Sequence, residues 1–454
     1  MRLPQTPPDT RRPPSRESSA ETIERYARVW EYAARVGGRV THNGRYLHWD
    51  ELRHRQPPEG LSHEEWWTGL KLNRRSMYRP GPLRAVQGKD FVVAVPDEVL
   101  GLLHDITRRA SGSIVAPAQI LNPETRDRYL IRNLMEEGIT SSLLEGASTT
   151  REQARDMLRT ERAPRSEGER MVLNNYLAMR HICDHGQVPL TPDFVLELHR
   201  ILTEGTLKDP DGTGRFRRDD EQIDVVDPRD NTVLHVPPRA RELPERMKAM
   251  CAFANSETPT GFVDPVVRSI VLHFWLAYDH PFKDGNGRSA RALFYWSMLR
   301  HGYWLCQFIS ISEFIYRAST QYARAFLFAE SDDNDLTYFV LHQLHVIRMS
   351  IDALHEYIDE KVSQRRELEK RTRLASLLND RQIEVVTDML RRPNAEIDIQ
   401  RHKNDFGIVY QTARTDLLGL AEKGLLITAK RGRAFYFFPP LDLAERLEEL
   451  DAQV

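Results

Sequence analysis

Cysteine is scarce: the chain of 454 residues holds three, Cys183, Cys251 and Cys306, with no metal-ligand spacing among them. An odd and scattered set argues against a disulfide framework and suits a reducing compartment, so a cytoplasmic location is expected. Long apolar runs are lacking as well. The longest, 270–277, is far shorter than a membrane span and contains His273. The amino terminus, MRLPQTPPDTRRPPSRESSA, has no apolar core of the kind a signal peptide needs. Nor does one sign of charge dominate, because 64 Lys and Arg face 66 Asp and Glu for a net charge of -2. No whole-molecule field therefore attracts nucleic acid or membrane; such a partner must be met by a local patch, and no membrane partner is expected.

What is present is a soluble, charge-rich chain too long for one ordinary core, so two or three domains are expected. Residues 1–20 carry too little apolar area to offset ordering entropy and read as a disordered tail. An accessory region over 21–100 mixes aromatics with turn signals; short helices are expected at 50–55 and 62–72, with Trp49, Trp66 and Trp67 as core anchors. From 101 to 345 apolar residues recur at three- and four-residue spacing, which predicts a mainly α domain. One interruption, RFRRDDEQIDVVDPRDNTVLHVPP, has two β-branched runs around a Pro-Arg-Asp-Asn turn. It predicts a β-hairpin inside the helical domain, either a surface flap or a plain structural hairpin. Residues 346–370 read as a polar helical linker, an arm or a homodimer contact. The stretch 371–440 reads as a winged helix-turn-helix, and 441–454 as a tail.

The chemistry concentrates in His280-Pro281-Phe282-Lys283-Asp284-Gly285-Asn286-Gly287-Arg288-Ser289-Ala290-Arg291. Gly285 and Gly287 remove side chains where main-chain N–H groups can approach an anion. Asn286 suits the N-cap of the following helix, whose free N–H groups and positive dipole end make a phosphate site. Arg288 and Arg291, three apart, share a face above that site. Asp284 is a hard oxygen ligand able to hold Mg²⁺ against nucleotide phosphates. His280 can act as general base toward a hydroxyl. Lys283 reaches a phosphate or points to solvent. A tight turn beside a structural histidine is the plainer alternative, but it leaves the acid, both glycines and the paired arginines as coincidence.

This segment resembles the signature of the Fic family, HxFx[D/E]GNGRxxR, at every defining position. The resemblance implies a helical core and transfer of AMP from ATP to a Ser, Thr or Tyr hydroxyl of a target protein. It implies that His280 accepts the hydroxyl proton and that Asp284 binds Mg²⁺ bridging the phosphates. Lys283, Gly285, Asn286 and Gly287, with Arg288 and Arg291 for the outer phosphates, would complete the ATP site. Tyr322 is the candidate wall of an adenine pocket, an ordinary core tyrosine being the alternative. In the family a flap pairs its main chain with the target; here Ile223, Asp224, Val225 and Val226 are the candidates, opposite 233–236.

Upstream, Ser141-Ser142-Leu143-Leu144-Glu145-Gly146 reads as a helix ended by Gly146, with a new helix near Thr149 or Thr150. A carboxylate at a helix C-terminus is unfavourable for the dipole, and exposure to water is the simplest local remedy. The segment is nevertheless similar to the family's inhibitory motif, [S/T]xxxE[G/N], through Ser141, Glu145 and Gly146, on a helix near 136–147. That similarity implies a pair between Glu145 and Arg291 that misplaces the γ-phosphate, hence a weakly active resting enzyme. In some relatives the same glutamate supports AMP removal, so a bifunctional enzyme is a further reading.

Three smaller expectations complete the reading. His273 is expected to be a core histidine, and Asp332, Asp333, Asn334 and Asp335 a solvated loop and helix cap. Between 371 and 440, 12 Lys and Arg against 8 Asp and Glu leave a local excess of 4. Arg414 and Thr415 would face outward on a recognition helix, with Lys430, Arg431 and Arg433 on the wing. That pattern supports a rival function, a DNA-binding regulator whose Fic portion senses nucleotide; winged helices also dock proteins. A dimerising scaffold is a third reading.

Overall fold

A computed structural model describes residues 2–10, 19–111, 123–221, 223–227, 229–257, 261–371, 377–392, 394–432 and 434–452. It is mainly helical, with two β-hairpins and one three-stranded sheet among the described residues. The amino-terminal helices are α1 (Ser19–Arg35), α2 (Trp49–Leu52), α3 (His63–Met77) and α4 (Asp97–Ala110). Next come α5 (Pro123–Leu144), α6 (Arg151–Thr160), α7 (Glu167–His185), α8 (Pro192–Thr203), α9 (Leu243–Ala254), α10 (Pro265–Asp279) and α11 (Asn286–Arg300). The remainder are α12 (Ile311–Arg317), α13 (Ser319–Ser331), α14 (Thr337–Arg371), α15 (Asp380–Arg391), α16 (Ile399–Phe406), α17 (Tyr410–Glu422) and α18 (Leu443–Ala452).

The chain forms two compact units. The first comprises Met1–Arg108, His181–Tyr303 and Phe314–Arg348; the second comprises Arg109–Arg180, Trp304–Glu313 and Met349–Val454. This differs from the linear division expected above, because the helix ending before Glu145 belongs with the carboxy-terminal part. Ion pairs distant in sequence join these parts: Arg128 on α5 pairs with Glu384 and Asp388 on α15, and Arg159 on α6 pairs with Asp405 on α16.

In the first unit α10 and α11 are buried nearly all round, as befits helices at the centre of a core. Asp264 caps α10 by accepting the Val266 N–H, and Pro265 sits at the first helical position, where its missing N–H costs nothing. Trp49, Trp66 and Trp67 join Tyr32, Leu47, Leu52 and Leu70 in one buried cluster, so they are core anchors. Helix α3 starts with a capping box between Ser62 and Glu65. Helix α1 and the hairpin β1 (Arg79–Arg84) with β2 (Asp90–Val93) lie in the accessory region beside the two helices expected there.

Two expectations about this unit need correction. Residues 2–10 are not a free tail: the Gln5 N–H donates to Asp50, Arg75 donates to the Thr10 hydroxyl, and Thr10 is buried. Residues 11–18 lie outside the described residues. The acidic turn is not solvated either, since Asp332 and Asp335 are 2% and 0% exposed. Lys71 pairs with Asp332 at 2.8 Å, and Tyr46 and Tyr78 donate to Asp335 at 2.6 and 2.8 Å. Each partner lies more than 250 residues away in sequence, so no local pattern could announce it.

In the second unit α15, β5 (Ile397–Asp398), α16, α17, β6 (Ile427–Arg431) and β7 (Ala434–Phe438) follow in that order, with strands arranged β5-β7-β6. These include the three helices and the hairpin expected of a winged helix, plus one short strand. The expected tail over 441–454 is instead helix α18, whose Leu443 and Leu447 enter the same core as Leu417, Leu420 and Phe437. Spacing of four between those leucines is what lets one face of α18 bury.

Candidate active site

Helix α10 ends at His280, which adopts a left-handed conformation with φ 44° and ψ 56° and donates its N–H to the Leu276 carbonyl. A non-glycine residue there is strained by roughly 1–2 kcal/mol and persists only if its surroundings hold it. Arg217 does so. Its Nε donates to the His280 carbonyl at 2.9 Å, its own N–H donates to the Pro281 carbonyl at 2.8 Å, and its Nη2 reaches the Pro238 carbonyl. The His280 Nδ1 faces the Ala277 carbonyl at 3.4 Å, a long bond that only a protonated Nδ1 can make. In the neutral ring that tautomer leaves the lone pair on Nε2.

The turn that follows is held from within. Asn286 does not cap α11; its side chain turns back, accepting the Phe282 N–H at 2.9 Å and donating to the Phe282 carbonyl at 2.8 Å. The cap position is Gly285 with φ 82°, and no side chain caps the helix, so its first N–H groups remain available to a ligand. Gly285 is required there, because a Cβ would stand 2.9 Å from Thr203 Cγ2. Gly287 lies within the first helical turn rather than at a bend.

His199 on α8 is fully buried and stacks on Phe282, with ring centroids 3.7 Å apart and planes 9° from parallel. Its Nδ1 accepts the Gly214 N–H at 3.0 Å, so Nε2 carries the proton and donates to the Asp284 carbonyl at 2.9 Å. Burial, with Arg288 nearby, pulls its pKa down to about 4 despite the bond to Asp284, so the ring stays neutral. The Asp284 carboxylate is 52% exposed, accepts the Gly285 N–H at 2.6 Å and lies 3.3 Å from Arg288 Nη2. Arg288 is otherwise buried and donates to the Leu202 carbonyl at 3.0 Å. Arg291 is 1% exposed on the same helix.

Lys283 does not stand free in solvent. It binds Asp209 at 2.9 Å and Glu221 at 3.2 Å, and these bonds raise its pKa. Glu221 in turn takes both ends of Arg215, which holds its carboxyl well below the usual range. Tyr322 on α13 places its hydroxyl 2.8 Å from Nε2 of His273, which is fully buried and, through that burial and the charge of Arg291, held well below the usual imidazole pKa. His273 is thus a core histidine, and Tyr322 stands against it.

The hairpin forms as β3 (Val225–Val226) and β4 (Val233–His235), antiparallel and shorter than expected. Ile223 and Asp224 precede β3, and Val226 and Val233 are exposed. His235 fastens the hairpin beside the site by bonding Glu330 through Nδ1 and the Tyr278 carbonyl through Nε2, each at 2.7 Å. Burial alone would lower its pKa, but those acceptors outweigh it and raise the pKa above the ordinary 6.5.

The segment 141–146, expected above to be inhibitory, belongs to the second unit. Helix α5 ends at Leu144; Glu145 and Gly146 are exposed, Ser141 is buried, and Gly146 has φ 86°. The Ala147 N–H closes the end on the Ser142 carbonyl, and Thr150 opens α6 with a capping box. Arg414 and Thr415 are exposed on α17, as are Lys430 and Arg431 on β6; Arg433 lies outside the described residues.

Sequence reasoning missed His199, Arg217 and the turning-back of Asn286. His199 sits on an apolar helix face where a core residue is the default, and Arg217 is one of three arginines in a row of charges. Among the described residues no cluster of three His, Cys, Asp or Glu could hold a metal unaided. Asp284 nonetheless suits Mg²⁺, which typically takes one or two carboxylates and completes its shell with phosphates and water.

Comparison with known proteins places these residues in context. Residues 189–298 match the Fic/DOC family model. Over 290 residues the chain is 27% identical to a protein adenylyltransferase Fic of Drosophila willistoni, covering 62% of this chain and 53% of that protein. The corresponding protein of Drosophila yakuba is 31% identical over 165 residues, 35% of this chain and 31% of its own. The chain thus spans about half the length, or less, of these curated relatives. Among solved structures, a Fic family protein from Desulfovibrio desulfuricans is 20% identical with a TM-score of 0.48, covering 76% of this chain and 97% of that one. Fic-1 from C. elegans is 22% identical with a TM-score of 0.42, over 58% and 72% of the two chains.

Proposed function

We propose, from the match of residues 189–298 to the Fic/DOC family model, that this chain is a protein adenylyltransferase, moving AMP from ATP to a hydroxyl side chain of a target protein. The observation that carries the reading is the uncapped start of α11 at Gly285, flanked by the half-exposed carboxylate of Asp284 and by His280. His280 accepts the proton of the incoming hydroxyl at Nε2 while its Nδ1–H stays on the Ala277 carbonyl. The hydroxyl oxygen bonds to the α-phosphorus, the bond to the bridging oxygen breaks, and pyrophosphate leaves. The free N–H groups of α11, with Arg288 and Arg291, bind the phosphates and neutralise their charge, which is most of what such a displacement needs. Asp284 would hold Mg²⁺, which supplies charge neutralisation and alignment of the phosphates when bound. Asn286 acts by fixing the Phe282 main chain, and Lys283 is held by Asp209 and Glu221 rather than aimed at phosphate. Tyr322 remains the candidate adenine wall, and the edge at 223–226 the docking strand for the target.

The relatives named adenylyltransferases support the activity, and the proposal includes Glu145 as a brake, so the resting enzyme is expected to be weakly active. AMP removal assisted by Glu145 belongs to the same proposal. Labelled ATP added to native lysate tests it. Glu145→Gly should label a target strongly, wild type faintly and His280→Ala not at all; no label with Glu145→Gly overturns it. A second reading, duplex DNA at the carboxy-terminal domain, is supported by the exposure of Arg414, Thr415 and Lys430. It requires salt-dependent binding that His280→Ala leaves unchanged.

A further inference from the structure

Within the second unit a cavity of about 400 Å³ opens between α5, α6, α14 and α15. Its walls are unusually cationic. Helix α5 contributes Arg128 and Arg132, α6 contributes Arg155 and Arg159, α14 contributes Lys361, and the end of α15 contributes Arg391 and Arg392. The carboxylates there are fewer: Glu136, Glu360, Asp388 and Asp405. Their bonding makes the shortage concrete. Asp388 alone is shared by Arg128 at 2.9 Å, Lys361 at 3.1 Å and Arg392 at 3.4 Å. Glu384, just outside, is taken by Arg128, while Glu136 is taken by Arg155 and approached by Arg151. Arg132 has its guanidinium 3.5 Å from the centre of the Tyr357 ring. Arg159 is held below the usual guanidine range chiefly by burial, and the neighbouring cations Arg401, Arg155 and Arg128 add to that against its partner Asp405 at 3.0 Å.

Two guanidinium groups and an ammonium around one shared carboxylate, with further arginines lining the same cavity, are an arrangement in which a multivalent anion gains most, because each added oxygen meets a donor already in place. We propose that this cavity is a binding site for a small phosphorylated anion carrying at least two phosphate charges, distinct from the nucleotide cradle at α11. The inference does not depend on the adenylyltransferase reading. Its position gives it consequence, since α5 is the helix that ends at Leu144, immediately before Glu145.

The probe is inorganic pyrophosphate, titrated calorimetrically into the full chain with inorganic phosphate as the monovalent-to-divalent comparison. The background is Arg291→Gln, which weakens the other phosphate site. Arg132 and Arg392 are exposed, so replacing both with Gln should leave the fold intact, as circular dichroism and melting will report. The expected result is pyrophosphate binding in the Arg291→Gln background, tighter than phosphate, and weakened about tenfold or more by Arg132→Gln with Arg392→Gln. Equal affinity with and without those two substitutions, or no binding in the Arg291→Gln background, overturns the proposal.

Discussion

Two turns in the first unit, 280–286 and 332–335, use the same materials and do opposite things with them. Both join helices, both contain aspartate and asparagine, and both have residues at positive φ. In the acidic turn every carboxylate that is buried is consumed: Asp332 by Lys71 and Tyr338, Asp335 by Tyr46 and Tyr78. In the signature turn the main chain is held by other groups, Asn286, His199 and Arg217, and the Asp284 carboxylate stays half exposed. The difference separates acids consumed by buried partners from an acid left half exposed, as the proposed ligand role requires. Composition alone does not distinguish them; the partners do.

Breaking the stability side should give the largest change. Lys71→Met removes the cation from a pair in which both side chains are at most 3% exposed. Chemical denaturation should show a loss of about 3–5 kcal/mol, the cost of leaving a buried carboxylate unpaired. A loss under about 1 kcal/mol would mean that Tyr338 alone suffices for Asp332.

On the signature side, Gly285→Ala should cost about 1–2 kcal/mol in the same assay, because alanine is strained at φ 82° and its Cβ meets Thr203. AMP transfer should fall further than stability does, since the displaced turn carries both Asp284 and the start of α11. Unchanged activity would show that the turn tolerates movement.

The smallest effect concerns the hairpin. His235 has a raised pKa, so its contribution to stability is fully present below the ordinary value of 6.5 and fades as pH rises through the raised one. Melting temperature should therefore decline across that interval, and His235→Gln should flatten the decline. An identical pH slope in the variant would assign the effect elsewhere.

The legible part of the molecule was the part whose contacts are local. Glycine-framed helix starts, caps such as Thr150 and the Val-Val hairpin carry their physics within a few residues, so the mainly α class and the helix start after Gly285 could be read directly, while the turning-back of Asn286 could not. Tertiary partners could not. Asp335 meets Tyr46 across 289 positions, and Asp284 meets His199 across 85. The same limit explains α18: a leucine pair in an acidic segment reads as a tail until Leu417 and Phe437 are known to face it. It also explains the division into units, which ion pairs between distant helices decide.

The account turns on which phosphorus the cradle presents to a hydroxyl. Incubating Glu145→Gly with ATP labelled at either the α- or the γ-phosphate, in the presence of native lysate, decides it. Retention of the α label on a protein, with the γ label released as pyrophosphate, is the predicted result. Retention of the γ label instead, or of neither, would contradict it.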